Sequence, residues 1–499
     1  MHISPSLEEF IESTKTANVI AITAEISTDL DTPVSIYYKL VGDDQGFILE
    51  SVAAAQKFGR FSFIGAEPFA QVKTYKNHTR VLENKKEIIV TGNPVQAMKT
   101  YLEKFNTAAD NILLPLLNGG AIGYLNYESV GTFDRVRGLN IDEAKLLGQF
   151  MICRVLVIMD HLKNTAKLVY LAEVNENDDA AFIYNEGICK MESVKNTLKA
   201  AVNDHSVKKN TVKDHKKIDF LQDFGKVDQV FLEKIRIAKE HIAAGDIFQI
   251  VLSEQFRCNI TKPAFHFYRR LRQINPSPYM FYLNFGEIKL VGSSPEMLVK
   301  ISGDQVFTYP IAGARPRGID AQTDAALAAE LRCDTKECAE HAMLVDLARN
   351  DIGRISKPGT VKVTKLMEVE KFSHVMHMVS EVCGQVKQGS HSMDVLGACF
   401  PAGTLSGAPK IRAMEIINEL ETVERNAYGG TVGYIDFNGN MDMCITIRTI
   451  RIEGDEAIVQ AGAGIVADSI AEKEYKEILQ KAKAMFQTIE EVEDDDFID

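Results

Sequence analysis

Alternating apolar and polar positions dominate the first third of the chain. "VSIYYKL", "GFILESV" and "RFSFIGAEPFAQVKTY", spread over 34–74, are rich in aromatic and β-branched residues and predict hairpin strands. "VLVIMD" and "AKLVYLAEV", separated by "HLKNT", predict another hairpin near 155–174, and residues 186–201 change to helical spacing. The run "NDHSVKKNTVKDHKKID" (203–219) is polar, Lys-rich and nearly free of large apolar residues, and reads as a solvated loop. It divides an N-terminal lobe (1–202) from a second unit (225–488), with 203–224 as the linker.

The second unit mixes its elements differently. An amphipathic helix is expected through "FLEKIRIAKEHIAAG", ending at Gly245, followed by strands in "YMFYLNF" and "IKLVGSSPEMLVKI". A long helix is expected over roughly 323–350. "GGTVGYIDFNGNMDMCITIRTIRIEGDEAIVQAG" holds further strands, with Asn438-Gly439 as a hairpin signal. Helices and hairpins without a βαβα alternation predict an α+β fold of two lobes, built on antiparallel sheets packed against helices. The last segment, 489–499, is an acidic run expected to fray.

Composition narrows the function classes. The 499 residues suffice for large cores, and Lys+Arg 56 against Asp+Glu 69 leaves a net charge of −13, which argues against coating a nucleic acid. An anionic substrate must then be held by local cations or a metal. Eight cysteines with no C-x-x-C pair suggest neither a zinc site nor a disulfide framework and suit a reducing cytosol. The N-terminal residues lack a signal-peptide pattern, and no apolar run is long enough to span a membrane, so a cytoplasmic protein is expected.

Candidate chemistry gathers at two helices. Glu337 and Glu340 are three apart and project from one side of a helix whose other side is apolar; Glu474 and Glu477, with Lys481 a turn later, repeat the device. Alone, such a pair is more often a solvated face. Two pairs from different helices, with positions left for water, are what Mg²⁺ favours over soft ligands. Just before the second pair, "AGAG" (461–464) reads as the end of a strand whose small residues leave N–H groups open to an anion. A bound Mg²⁺ would reconcile that anion cradle with the carboxylates beside it.

Five runs, "PIAGARPRG" (310–318), "AEHAMLVDLARNDIGR" (339–354), "FPAGTLSGAPK" (400–410), "AYGGTVGY" (427–434) and "AGAGIVADS" (461–469), resemble the chorismate-binding enzymes in motif and order. Within them the chain resembles the large subunits of anthranilate synthase; "ILESV" and "GRFSFIGAEP" extend the likeness to the N-terminal half. The resemblance implies that chorismate reacts with ammonia and loses pyruvate. It implies that Glu340 and Glu477 ligate Mg²⁺, with Glu337 and Glu474 behind them. Arg448, expected in a strand, would take the enolpyruvyl carboxylate with N–H groups around Gly462, Ala463 and Gly464; Gly313, Ala314, Tyr428, Thr404 and Lys481 would complete the pocket. Glu296 would be the general acid for the departing C4 hydroxyl and His377 would serve the elimination. On residues alone, Glu296 reads as a solvent-facing strand end, Arg448 as an exposed strand arginine and His377 as a core histidine.

Two positions separate the close relatives. Gln249 stands where hydroxylating members carry a Lys base, and an amide cannot deprotonate water. Ala312 stands where aminodeoxychorismate synthases carry a nucleophilic Lys. Direct amination at C2 remains. The resemblance also implies a tryptophan inhibitor site from Glu50, Ser51, Pro278, Tyr279 and Met280, with a carboxylate for the amino group, although the same residues read as edge-strand and turn positions. Two departures from the family pattern, Ala314 for Thr and Gln255 for a basic residue, touch affinity more than reaction type. No glutaminase motif is present, so a separate glutamine amidotransferase subunit is the implied partner, in a hetero-oligomer. An amination-only enzyme and a non-catalytic chorismate or tryptophan sensor are the alternatives.

Overall fold

The computed structural model describes residues 2–51, 60–107, 119–200, 228–371 and 375–494. Its strands connect into one hydrogen-bonded ladder with two wings that share a pair of long strands, Phe61–Thr74 and Gly148–Asp160. The pair slips register between Pro68 and Ala70, and Glu67 has φ 55°, so the shared strands bend at this point. One wing runs outward from residues 61–66 through Gly46–Glu50, Tyr279–Asn284, Ile288–Ser294, Thr449–Glu453 and Glu456–Ile465 to Gln249–Asn259. The other runs from residues 148–151 through Gly120–Leu125, Thr431–Asp436, Met441–Ile445, Met297–Ser302 and Gln305–Thr308 to Val375–Gln385. Ile311–Pro316 and Lys362–Lys371 complete its edge. These pairings are antiparallel, as the pattern predicted.

Period-two alternation sorts the side chains. In Tyr279–Asn284, Phe281 and Leu283 enter the core between the wings, where they join Phe47, Phe63, Tyr124 and Val432. Met280 and Tyr282 point the other way, into a second core roofed by helices Pro33–Leu40, Gln229–Ala243, Ala264–Ile274 and Ala471–Glu493.

The segments 1–202 and 225–488 do not close sheets of their own. Residues 46–50 pair with 280–284, and 120–125 pair with 431–436. The predicted linker, 203–224, lies outside the described residues.

Three local expectations are corrected. "PVSIYYKL" is a helix, because Thr32 and Ser35 form a capping box, Pro33 opens the first turn, and Ile36 and Tyr37 are buried on one face. The long helix is two, Ala321–Cys333 and Thr335–Ile355, broken at Asp334, whose side chain caps the second by accepting from the N–H groups of Lys336 and Glu337. The acidic end is helical to Glu493, with Ile489 and Val492 buried; residues 495–499 lie outside the described residues.

Candidate active site

The "AGAG" run ends a strand, Glu456–Ile465, as expected. Residues 461–464 pair along their length with Ser253, Leu252 and their neighbours on Gln249–Asn259. On its other side the strand has a partner only as far as Val459, opposite Ile450. Beyond that residue one backbone edge is unpaired among the described strands, and the small residues allow close approach to it. A Cβ on Gly462 would sit 2.5 Å from Tyr428 Oη, and one on Gly464 2.8 Å from Gln249 Nε2. The glycines thus bring Tyr428 and Gln249 onto the strand.

Arg448, expected in a strand, is not in one. Met441–Ile445 and Thr449–Glu453 are separate, and Arg448 lies in the break with φ 51°, a left-handed conformation that costs a non-glycine residue roughly 1–3 kcal/mol. Its carbonyl accepts from the Ser293 N–H at 3.1 Å. The guanidinium makes no ion pair among the described residues, and burial pulls its pKa down. A desolvated, uncompensated arginine is a ready carboxylate acceptor.

Glu296 follows the strand Ile288–Ser294 and faces inward. Its Oε1 accepts from Thr404 Oγ1 at 3.0 Å. Burial raises its pKa to about 7, against the lowering pull of the Thr404 bond and of Lys481. The expectation from the residue alone, a solvent-facing carboxylate, fails because Ile445 N donates to the Glu296 carbonyl and ties the segment into the interior.

Across the site, His377 stands opposite Ala314 in the ladder, and its Nδ1–H donates to the Gly313 carbonyl at 2.8 Å. Burial lowers its pKa, assisted by Arg448, while the Gly313 bond raises it. The neutral ring therefore carries its basic lone pair on Nε2. Gly313 has φ 68°, and a Cβ there would meet Glu337 Oε2 at 3.0 Å.

The two helices bring their carboxylates together. Burial raises the pKa of Glu340, and the charges of Glu337 and Glu477 raise it further. Glu474 is raised by burial and by Glu477, against a bond from Ser469. Glu477 pairs with Lys481 at 2.8 Å; Lys481 Nζ also donates to the Gly462 carbonyl at 3.0 Å. Glu337 is held by Arg315 Nη1 at 3.3 Å. Among the described residues no three His, Cys, Asp or Glu side chains form a metal cluster. Glu340, which makes no ion pair among the described residues and feels the charges of Glu337 and Glu477, nonetheless suits Mg²⁺, which takes one or two carboxylates and fills its other positions with water and substrate.

The inhibitor segments also meet, since Glu50 and Met280 are ladder partners. The Glu50 carboxylate accepts from Tyr268 Oη at 2.5 Å and from Arg272 Nε and Nη2 at 2.8 and 3.1 Å, which fix its orientation. Ser51 Oγ is buried without a partner among the described residues, Tyr279 Oη donates to Asp442 at 2.9 Å, and Pro278 precedes it at the strand's start. Gln255 accepts from Arg257 Nε at 2.8 Å, so a basic group does reach position 255.

Sequence reasoning passed over Arg315, although it lies inside "PIAGARPRG"; its three carboxylate partners, Glu330, Asp334 and Glu337, gather around the helix break at Asp334, which the sequence pattern did not show. It also passed over Arg425, which is buried against Glu421 at 2.7 Å and lies 5.7 Å from the Tyr428 ring, bracing it from behind. No helix among the described residues is long and apolar enough to cross a membrane.

Comparisons with known proteins identify the family. Residues 45–487 match the family described as chorismate binding enzyme. The chain is 44% identical over 495 residues to anthranilate synthase component 1 of Acetivibrio thermocellus, covering 98% of each protein. It is 41% identical over 502 residues to the component of the same name from Aquifex aeolicus, covering 99% of each. The crystal structure of anthranilate synthase component I from Streptococcus pneumoniae superposes with a TM-score of 0.72 at 34% identity, over 92% of this chain and 99% of that one.

Proposed function

Since the chain belongs to the chorismate-binding enzyme family, we propose that its cleft converts chorismate and ammonia to anthranilate and pyruvate. The near-full-length identity to anthranilate synthase component 1 carries this reading, and the chemistry of the cleft agrees with it. Ammonia adds to C2 as the ring double bond shifts and the C4–O bond breaks. Glu296, whose pKa of about 7 keeps much of it protonated near neutrality, gives its proton to the departing hydroxyl, with Thr404 fixing the carboxyl's orientation. Arg448 and Tyr428 hold the enolpyruvyl carboxylate beside the unpaired edge at Gly462–Gly464. Neutral His377, its tautomer set by Gly313, receives the C2 proton as pyruvate leaves and the ring becomes aromatic.

Glu340 and Glu477 would hold Mg²⁺, which when bound supplies positive charge for the ring carboxylate. Glu337 and Glu474 would steady them, and Lys481 would be released from Glu477 towards substrate. The name "component 1" borne by the relatives supports a second, glutaminase component as ammonia source, free ammonia serving in its absence. Tryptophan inhibition at Glu50, Ser51, Pro278, Tyr279 and Met280 belongs to the same reading, with Arg272 and Tyr268 orienting the Glu50 carboxylate that would meet the ligand's amino group.

The test is the purified chain with chorismate, Mg²⁺ and ammonium, followed by anthranilate fluorescence and pyruvate release together. Equal amounts of both, abolished by EDTA and suppressed by tryptophan, are expected. Chorismate consumed without pyruvate would favour an amination-only enzyme. Binding without turnover would favour a sensor.

A further inference from the structure

A cavity adjoins Glu296 and Thr404 but shares none of Tyr428, Arg448 or His377 with the cleft. It extends along helix Thr335–Ile355, past Ala348 and Cys399, to Asp351. About 50 Å³ is open there to the centre of a water molecule, against roughly 10–15 Å³ needed for one ordered water. At its far end Asp351 is 8% exposed and accepts from Lys410 Nζ at 2.8 Å. Arg354 and Asp134 also face Asp351, and Cys399 lies alongside. Both members of this buried pair fall in sequence runs that mark the family, "LARNDIGR" and "SGAPK", yet neither has a part in the reaction described so far.

That reaction leaves a proton to be accounted for. Nitrogen enters as NH₃ and the C2–N bond forms; the C4–O bond breaks and the hydroxyl takes the Glu296 proton to leave as water. The new ammonium group on C2 then loses a proton to solvent. Glu296 ends as a carboxylate and must regain a proton before the next turnover. We propose that the cavity between Glu296 and Asp351 is the proton-return path of this general acid, filled with water that hydrogen-bonds to Thr308, Thr404 and Asp351. It also receives the water formed at C4. This inference rests on the reading of Glu296 as the acid. Burial raises both carboxyls, Asp351 against the pull of Lys410.

The experiment uses the full chain with ammonium, saturating chorismate and Mg²⁺. The double variant Asp351→Asn/Lys410→Met removes the pair without orphaning a charge. Ala348→Leu fills the cavity and leaves every charge in place, so it decides the question if the double variant does not fold. For both, kcat is expected to fall by about tenfold or more, with a larger solvent deuterium isotope effect and an unchanged KM for chorismate. Folded variants with the parent's kcat and isotope effect would overturn the path alone, provided Glu296→Gln is inactive. A fully active Glu296→Gln would overturn the acid assignment and the path with it.

Discussion

Glu296→Gln should make the protein more stable while destroying its activity, and the gain should depend on pH. The carboxyl moves from an ordinary 4.5 to about 7 on folding, chiefly because burial disfavours the charged form. With the folded value above the unfolded one, the folded state binds the proton more tightly. Stability is therefore highest in acid, declines from pH 4.5 to about 7, and is level above that. At ~1.4 kcal/mol per unit, the ionised carboxylate costs about 3 kcal/mol at pH 8. Glutamine keeps the size, still accepts from Thr404, and carries no charge to desolvate. Thermal unfolding of parent and variant at pH 8 should differ by a few degrees in favour of the variant, and at pH 5 the difference should shrink to less than ~1 kcal/mol. Turnover should fall by roughly 10²–10⁴-fold. An equal difference at both pH values, or a variant less stable at pH 8, refutes the reasoning.

Other perturbations test other parts of the cleft. Arg448→Lys keeps the charge but loses the two-pronged fork, so the KM for chorismate should rise about tenfold or more in steady-state assays. His377→Asn should consume chorismate with pyruvate lagging behind, as an aminated intermediate accumulates that chromatography can resolve. Gly462→Ala places a Cβ 2.5 Å from Tyr428 Oη and 2.8 Å from the Leu252 carbonyl; a urea midpoint lowered by the equivalent of ~1–3 kcal/mol is expected, together with weaker chorismate binding.

Antiparallel hairpins were legible because alternation is local: the strands Gly148–Asp160 and Thr165–Glu173, and the turn at Gly439 with φ 86°, follow from adjacent residues. "PVSIYYKL" misled because its β-branched and aromatic residues suit a strand, while the capping box that decides for helix depends on two small hydroxyls. Motif resemblance named the cleft residues but could not state their environments. Nothing near Glu296 in sequence tells of Thr404, just as nothing near Glu50 tells of Arg272 and Tyr268, because those partners arrive through strands and helices distant along the chain. The left-handed turn at Arg448 was hidden for a different reason. "CITIRTI" is continuous strand by propensity, and only the meeting of two sheet wings interrupts it.

The exchange of strands between the two halves bears on how the protein is made. When residues 46–50 and 120–125 leave the ribosome, the edges they offer have no neighbours until residues 279–284 and 431–436 have been synthesised. At roughly 5–20 residues per second, that exposes apolar edges for tens of seconds. Phe47, Ile122 and Tyr124, all buried in the finished protein, would meanwhile be available to any other nascent chain. The amino-terminal half is thus a natural client for chaperones during translation, until the carboxyl-terminal strands, which bring the catalytic groups with them, add to its open edges.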